Sequence, residues 1–258
     1  MPLDIKQNEP LSKHATFSIG GLAKYFAAVR TKEEVLEAID FAEKKKLPFF
    51  LLGGGSNVLF NDNGYDGLII KIQIGGVKID EDRMTAGAGV LLSQMVNESA
   101  NKGLSGLEWA VGIPGTIGGA VNGNAGAYGH AISESADEII VLAEENGRWK
   151  EKKYSNKGCC FEYRKSKFKY LANREIILEA SLKLQKSDTE KVRGEIRNTI
   201  LQRKGKIPAQ PSAGCVFKNI KKDGQLIAAA GKLVEECGLK GVKSGGAEIP
   251  HLHGNYVV

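Results

Sequence analysis

Crowded glycine is the feature that most narrows what this chain can fold into. More than half of its 32 glycines lie between residues 51 and 130, under a third of the 258-residue length. Glycine in quantity weakens regular helices and strands, and it suits loops whose bare N–H groups close on a flat or anionic group. Three stretches have that form. They are Gly53-Gly54-Gly55-Ser56-Asn57, Ile113-Pro114-Gly115-Thr116-Ile117-Gly118-Gly119 and Asn122-Gly123-Asn124-Ala125-Gly126-Ala127-Tyr128-Gly129. Neither G-x-G-x-x-G nor G-x-x-x-x-G-K-[ST] occurs, so the two commonest nucleotide fingerprints are absent. A pyrophosphate is the group such loops hold best.

Charge and cysteine usage exclude several classes. The formal charge of +6 is spread over lysine-rich segments rather than one run, so nucleic acid is not an expected partner, whereas an anionic small molecule is. Apolar runs such as Phe49–Leu52 are far short of the roughly 18 residues of a membrane span, and the N-terminus has no signal-type segment, so no membrane is expected and the location reads as cytoplasmic. Four cysteines, two of them adjacent (Cys159 and Cys160), form neither a disulfide framework nor a metal pair, so no metal is expected. Cys159, Cys160 and Cys237 read as small buried apolar residues.

Periodicity supplies the elements. Thr31-Lys32-Glu33-Glu34 has capping-box form, and Val35, Ala38, Ile39 and Ala42 continue at helical spacing to the lysines at 44–46. Phe49–Leu52 is a short buried strand running into the first glycine loop, and 68–70, 77–79, 138–142 and 176–178 are further strands. Leu92, Met95, Val96 and Ala100 mark a helix ending at Gly103. Val192, Ile196, Ile200 and Leu201 mark another, basic at its end, before Pro208 and Pro211 break the chain. Leu226, Ile227, Ala230, Leu233 and Val234 predict a last helix closed by Gly238. The mixture is α+β.

Six ordered motifs then carry a resemblance. They are His14-Ala15-Thr16-Phe17-Ser18-Ile19-Gly20-Gly21; Leu52 to Leu59 around the first loop; Gly112 to Ala120; Asn124 to Gly129; Tyr163-Arg164-Lys165-Ser166; and Pro211-Ser212-Ala213-Gly214-Cys215-Val216-Phe217-Lys218-Asn219. The chain resembles the UDP-N-acetylenolpyruvoylglucosamine reductases from about residue 10 onward. The resemblance implies an FAD-binding fold of the vanillyl-alcohol oxidase type, with FAD-binding subdomains at 1–75 and 76–204 and a substrate-binding α+β domain at 205–258. It implies non-covalent FAD held by Gly53, Gly54, Gly55, Ser56, Asn57, Ile113, Pro114, Gly115, Thr116, Gly118 and Gly119, with Asn124, Ala125 and Gly126 near the flavin. It also implies NADPH as electron donor and a monomer acting on UDP-N-acetylglucosamine enolpyruvate to give UDP-N-acetylmuramate for peptidoglycan.

The implied chemistry is reduction of an enol ether conjugated to a carboxylate. Flavin N5 gives hydride to the terminal methylene carbon, charge develops on the carboxylate as an enediolate, and an acid protonates the neighbouring carbon. Such a reaction needs a cation at the carboxylate and a proton donor nearby. By the resemblance Arg164 is the cation, a permanent planar fork matched to a carboxylate. Cys215 stands where the family commonly has a serine donor, and a thiol is much the stronger acid. Tyr163, Lys206, Lys218 and Asn219 correspond to substrate-contacting positions.

One family feature has no counterpart. The family's third catalytic residue is a glutamate in a segment following the stretch aligned with His253–Val258, where this sequence ends; neither Glu235 nor Glu248 sits in its motif. The expectation is a substrate-binding domain incomplete at that end. Two further readings stay open beside the reductase, namely a catalytically silent FAD- or UDP-sugar-binding protein and an oxidase of the same flavin fold.

Overall fold

A parallel crossover builds the first layer. In the computed structural model, which describes residues 3–169, 175–222 and 225–258, strand β2 (Leu22–Val29) leads into helix α1 (Lys32–Lys44), and the chain returns as β3 (Phe49–Leu52). Thr31 caps α1, its hydroxyl accepting from Glu34 N. Both β2 and β3 pair in parallel with β4 (Tyr65–Ile72), and β1 (Ile5–Pro10) adds antiparallel to β2, giving the order β1-β2-β4-β3. Pleating sends alternate residues of β4 to opposite faces. Leu68, Ile70 and Ile72 join Val35, Ala38, Ile39 and Ala42 of α1 in the main core, while Ile69 packs with Leu11, Phe26 and Leu52 on the other side.

The second layer is antiparallel. Strands β5 (Val77–Asp80) and β6 (Arg83–Gly87) form a hairpin, and β6 pairs with the strand Glu175–Lys183, which pairs in turn with Ala136–Glu145 and, through it, with Arg148–Ser155 at the edge. Helices α2 (Leu92–Asn101) and α3 (Ile117–Gly123) cover it, burying Met95, Val96, Ile117 and Val121. Helix α4 (Thr189–Arg203) buries only Val192 and serves as a strut, because Arg203 at its end donates to the Gly112 carbonyl at 3.3 Å.

Two expectations are corrected. The last helix, α5, runs only over Ala230–Glu236; Leu226 and Ile227 belong instead to the strand Gln225–Ala228, paired with Ile220–Lys222. The Asn219 carbonyl Oδ1 accepts from Ala230 N at 3.0 Å, so the side chain capping this helix comes from eleven residues upstream and fixes the start after Ile227. Cys159 is fully buried, but Cys160 and Cys237 are exposed, because Cys160 sits in a left-handed turn (φ 48°) and Cys237 follows the end of α5. Among the described residues, no helix is long and apolar enough to cross a membrane.

Candidate active site

The first two glycine loops pack face to face. A β-carbon on Gly54 would stand 2.7 Å from Gly115 Cα, and one on Gly53 would stand 2.8 Å from Thr116 Oγ1, so only glycine permits the approach. The Ser56 hydroxyl ties them by donating to the Pro114 carbonyl at 3.0 Å. Behind the first loop Thr16 N donates to the Gly55 carbonyl at 3.0 Å, and a β-carbon on Gly55 would fall 1.9 Å from the His14 carbonyl oxygen. Two of the six sequence motifs are thereby one structural unit.

That unit fits the pyrophosphate of FAD. The N–H groups of Gly54, Gly55, Ser56 and Asn57 in one loop, and of Gly115 and Thr116 in the other, find no acceptor among the described residues. Converging donors without acceptors, on backbone stripped of side chains, form the concave nest that an anionic oxygen fills. Gly118 N and Gly119 N are engaged elsewhere, donating to the Ala88 carbonyl and to Thr116 Oγ1. Ile113 N donates to Ala110 O, so Ile113 and Pro114 act through loop shape.

The third glycine segment organises the chemistry-bearing turn. Asn124, buried and left-handed at φ 43°, ends α3; its amide Nδ2 donates to the Glu162 carbonyl at 2.9 Å and its Oδ1 accepts from Ser133 N at 3.2 Å. Ala125 N donates to Ala120 O, and Gly126 pairs with Ala131 in a short hairpin. Asn124 thus holds the tight turn 162–165, closed by Lys165 N on the Glu162 carbonyl at 3.1 Å. Arg164 occupies its third position at φ 57°, where glycine or asparagine is favoured. An arginine kept in that region is strain that the surroundings enforce, a pattern concentrated at functional sites.

Cys215 lies beside this turn, 51 residues along the chain. It is open to solvent on one side, yet the protein packed around Sγ raises its pKa above the ordinary thiol value. The Arg164 charge, the nearby Tyr256 phenol and the Arg203 charge oppose the rise without cancelling it. The thiol therefore keeps its proton at neutral pH, in the field of a guanidinium. Lys169 donates to the Arg164 carbonyl at 3.0 Å, and burial together with the Lys218 and Arg164 charges holds its ammonium below the usual lysine range. Lys221 stands 4.3 Å over the Tyr163 ring, and the Tyr163 hydroxyl accepts from Asn219 N at 3.3 Å. No carboxylate pairs with Arg164, Lys218 or Arg203 among the described residues, so this corner carries net positive charge suited to an anionic ligand.

Other sequence-predicted residues stand apart. Lys206 is exposed, and among the described residues only its backbone N is engaged, on Arg203 O. The Asn219 oxygen is committed to α5. Glu235 and Glu248 pair with Lys240 at 2.8 Å and Lys243 at 3.2 Å, so neither carboxylate is directed at Cys215. Sequence reasoning missed Arg203 as a neighbour of Cys215, and Asn255 and Tyr256 altogether; no motif of theirs signals contacts that distant in the chain. A surface groove of about 810 Å³, lined in part by Asp82, Glu134, Asp137 and Lys183, contains none of the residues converging here.

Comparison with known proteins agrees with this geometry. The family described as "FAD binding domain" matches residues 23–145, and "UDP-N-acetylenolpyruvoylglucosamine reductase, C-terminal domain" matches residues 206–258. The reductase of that name from Clostridium tetani is 37% identical over 257 residues, covering 99% of this chain and 80% of that protein. The one from Chlamydia felis is 38% identical over 260 residues, covering 100% and 83%. The crystal structure of the Thermus caldophilus reductase superposes with a TM-score of 0.79 at 33% identity, covering 99% of this chain and 87% of that one. Cholesterol oxidase from Brevibacterium sterolicum, at 14% identity and TM-score 0.55 over 71% of this chain and 38% of its own, shares the fold alone. The α+β fold is thus of the expected FAD-binding type, and the chain belongs to the UDP-N-acetylenolpyruvoylglucosamine reductase family, a family of flavoprotein oxidoreductases.

Proposed function

We propose that this protein uses NADPH to reduce the enolpyruvyl ether of UDP-N-acetylglucosamine enolpyruvate to UDP-N-acetylmuramate, with Arg164 and Cys215 as its catalytic residues. The observation that carries the reading is the meeting of a permanent cation and a protonated thiol at one exposed corner, from segments 51 residues apart. FAD, when bound, supplies the hydride to the substrate's terminal methylene carbon. The Arg164 fork pairs with the substrate carboxylate and stabilises the charge that develops there. The Cys215 S–H bond then breaks as a C–H bond forms at the adjacent carbon, leaving a thiolate that water reprotonates. Lys218, Asn219 through its amide nitrogen, and Lys206 serve the diphosphate and uridine, while Tyr163 packs under the Lys221 ammonium. The glycine loops and Asn124 to Gly126 hold the cofactor without a covalent link.

The deciding experiment combines the purified protein, FAD and NADPH with and without the enolpyruvyl substrate, following absorbance at 340 nm. Substrate-dependent NADPH consumption supports the reading. A yellow protein that binds the sugar nucleotide without turnover identifies a silent binding protein instead, and oxygen-dependent turnover without NADPH identifies an oxidase.

A further inference from the structure

We propose that Thr16 is a positioning residue that ties the Cys215 segment to the loop carrying the pyrophosphate donors, so that the thiol is held in register with the cofactor. Thr16 bonds in both directions. Its N donates to the Gly55 carbonyl at 3.0 Å, while its carbonyl accepts from Ser212 N at 3.2 Å and its hydroxyl donates to the Ser212 carbonyl at 2.7 Å. The same hydroxyl lies 3.5 Å from the Gly55 carbonyl, so its one proton goes to the nearer oxygen on Ser212. One residue thus grips both the N–H and the C=O of another 196 positions away and fixes it in two directions.

The Gly55–Ser56 peptide extends the tie to the cofactor side. A planar trans peptide points its C=O and its N–H in opposite directions. Here the carbonyl end is held by Thr16 N, and the N–H end, on Ser56, is one of the donors of the nest. Neither end can turn without the other. A β-carbon on Gly214 would stand 3.9 Å from the Ser56 carbonyl oxygen, so the residue before Cys215 lies over the same loop. Gly214 is left-handed at φ 77°, and its N donates to Ser212 Oγ at 3.4 Å, which carries the chain compactly from Ser212 to the cysteine. Beyond the cysteine the chain is fixed separately: Val216 N donates to the Asn255 carbonyl at 2.9 Å, and the Asn255 side chain bonds both the N–H and the carbonyl of Phe217 at 2.8 Å. Cys215 hangs between two anchors, and the one at Ser212 is built on the cofactor loop. On the reading of Cys215 as proton donor, on which this inference rests, that anchor sets where the thiol stands relative to the carbon it protonates.

The test uses the full-length holoenzyme with Thr16→Val, which removes the hydroxyl at nearly constant shape and keeps both backbone bonds, and Thr16→Ser, which retains the hydroxyl. Amide hydrogen exchange at Ser212, Val216 and Phe217 is read by NMR, and the two flavin half-reactions by stopped flow. For Thr16→Val we expect exchange about five- to tenfold faster at Ser212 with Val216 and Phe217 unchanged. Reoxidation of the NADPH-reduced flavin by the enolpyruvyl substrate slows by a similar factor, while reduction by NADPH is unaltered; Thr16→Ser stays within about twofold of the parent throughout. Exchange rising equally at all three amides marks a merely structural threonine and overturns the proposal. So does a serine variant as impaired as the valine one, a valine variant matching the parent, or selective loosening at Ser212 with reoxidation at the parental rate. Normal turnover in Cys215→Ala, or a parent without substrate-dependent turnover, overturns the reading beneath it instead, and the exchange at Ser212 then decides the tether alone.

Discussion

Arg164, the left-handed residue of the turn 162–165, lowers the pKa of the Cys215 thiol while the packing around the sulfur raises it further. The balance leaves a protonated thiol next to a cation. Product formation is expected to stay flat through neutral pH and to fall only as pH rises through the elevated thiol pKa, when the acid has lost its proton. Cys215→Ser keeps measurable turnover and loses that alkaline limb, since serine does not titrate there. Cys215→Ala still lets NADPH bleach the flavin but blocks product. Stopped-flow absorbance with product analysis separates these steps, and wild-type turnover in the alanine variant removes Cys215 as the acid.

Strain and function are separable at Arg164. A β-carbon in the left-handed region costs roughly 1–2 kcal/mol, so Arg164→Gly, despite its greater unfolded-state entropy, is expected to be neutral or stabilising by up to about 1 kcal/mol. The same change removes the carboxylate fork and is expected to abolish turnover. Arg164→Lys keeps a charge but loses the bidentate geometry, and its kcat is expected to fall by about two orders of magnitude or more. Denaturant melts and steady-state kinetics read the two effects; a strongly destabilised glycine variant would show that the turn is not strained.

The contact of Gly54 on Gly115 makes cofactor retention a packing property. Gly54→Ala wedges a methyl group against the opposing backbone and parts the two loops. We expect at least about tenfold weaker FAD binding, near 1.4 kcal/mol, with the fold retained. Gly55→Ala, whose β-carbon meets the His14 carbonyl at φ +69°, is expected to lower the melting temperature as well. Flavin absorbance after gel filtration, set beside thermal melts, distinguishes the two outcomes.

Cys159 predicts an alkaline instability. Burial raises its thiol pKa from 9.0 to about 11, and its S–H donates to the Ser155 carbonyl at 3.4 Å. Because the folded value lies above the unfolded one, the stabilisation is complete below pH 9. It is lost as pH climbs from 9 to 11, since the unfolded thiol ionises first. The loss is on the order of 2–3 kcal/mol. Urea melts at pH 8 and pH 10.5 should show a smaller pH effect in Cys159→Ala than in the parent; equal effects would contradict this.

How far the sequence could be read depended on whether each signal was local. The glycine loops, α1 with its Thr31 cap and the buried strand Phe49–Leu52 follow from spacing and turn chemistry within a few residues. The edge strand Arg148–Ser155, mostly charged and lacking an apolar alternation, carries no such signal and is made by its partner Ala136–Glu145. The last helix was read too long because Leu226 and Ile227 fall at helical spacing with Ala230, while pairing with Ile220–Lys222 and the remote Asn219 cap decide against it. The residues of the candidate site were legible as family motifs. Their convergence was not, since the meeting of the turn 162–165 with the Cys215 segment, where Asn219 N donates to the Tyr163 hydroxyl, is set by tertiary contacts.

The side chain of Asn255, which bonds both the N–H and the carbonyl of Phe217 at 2.8 Å, also has a meaning in time. Phe217 and the asparagine that fixes it are 38 positions apart, and a ribosome adding roughly 5–20 residues per second needs about 2–8 seconds to cover that interval. Through those seconds the glycine loops and both sheets can already be folding, whereas the cysteine segment has nothing to dock on. The nascent protein can therefore own a cofactor cradle before it owns an ordered thiol, and oxidants or alkylating agents would find that cysteine least protected during its synthesis.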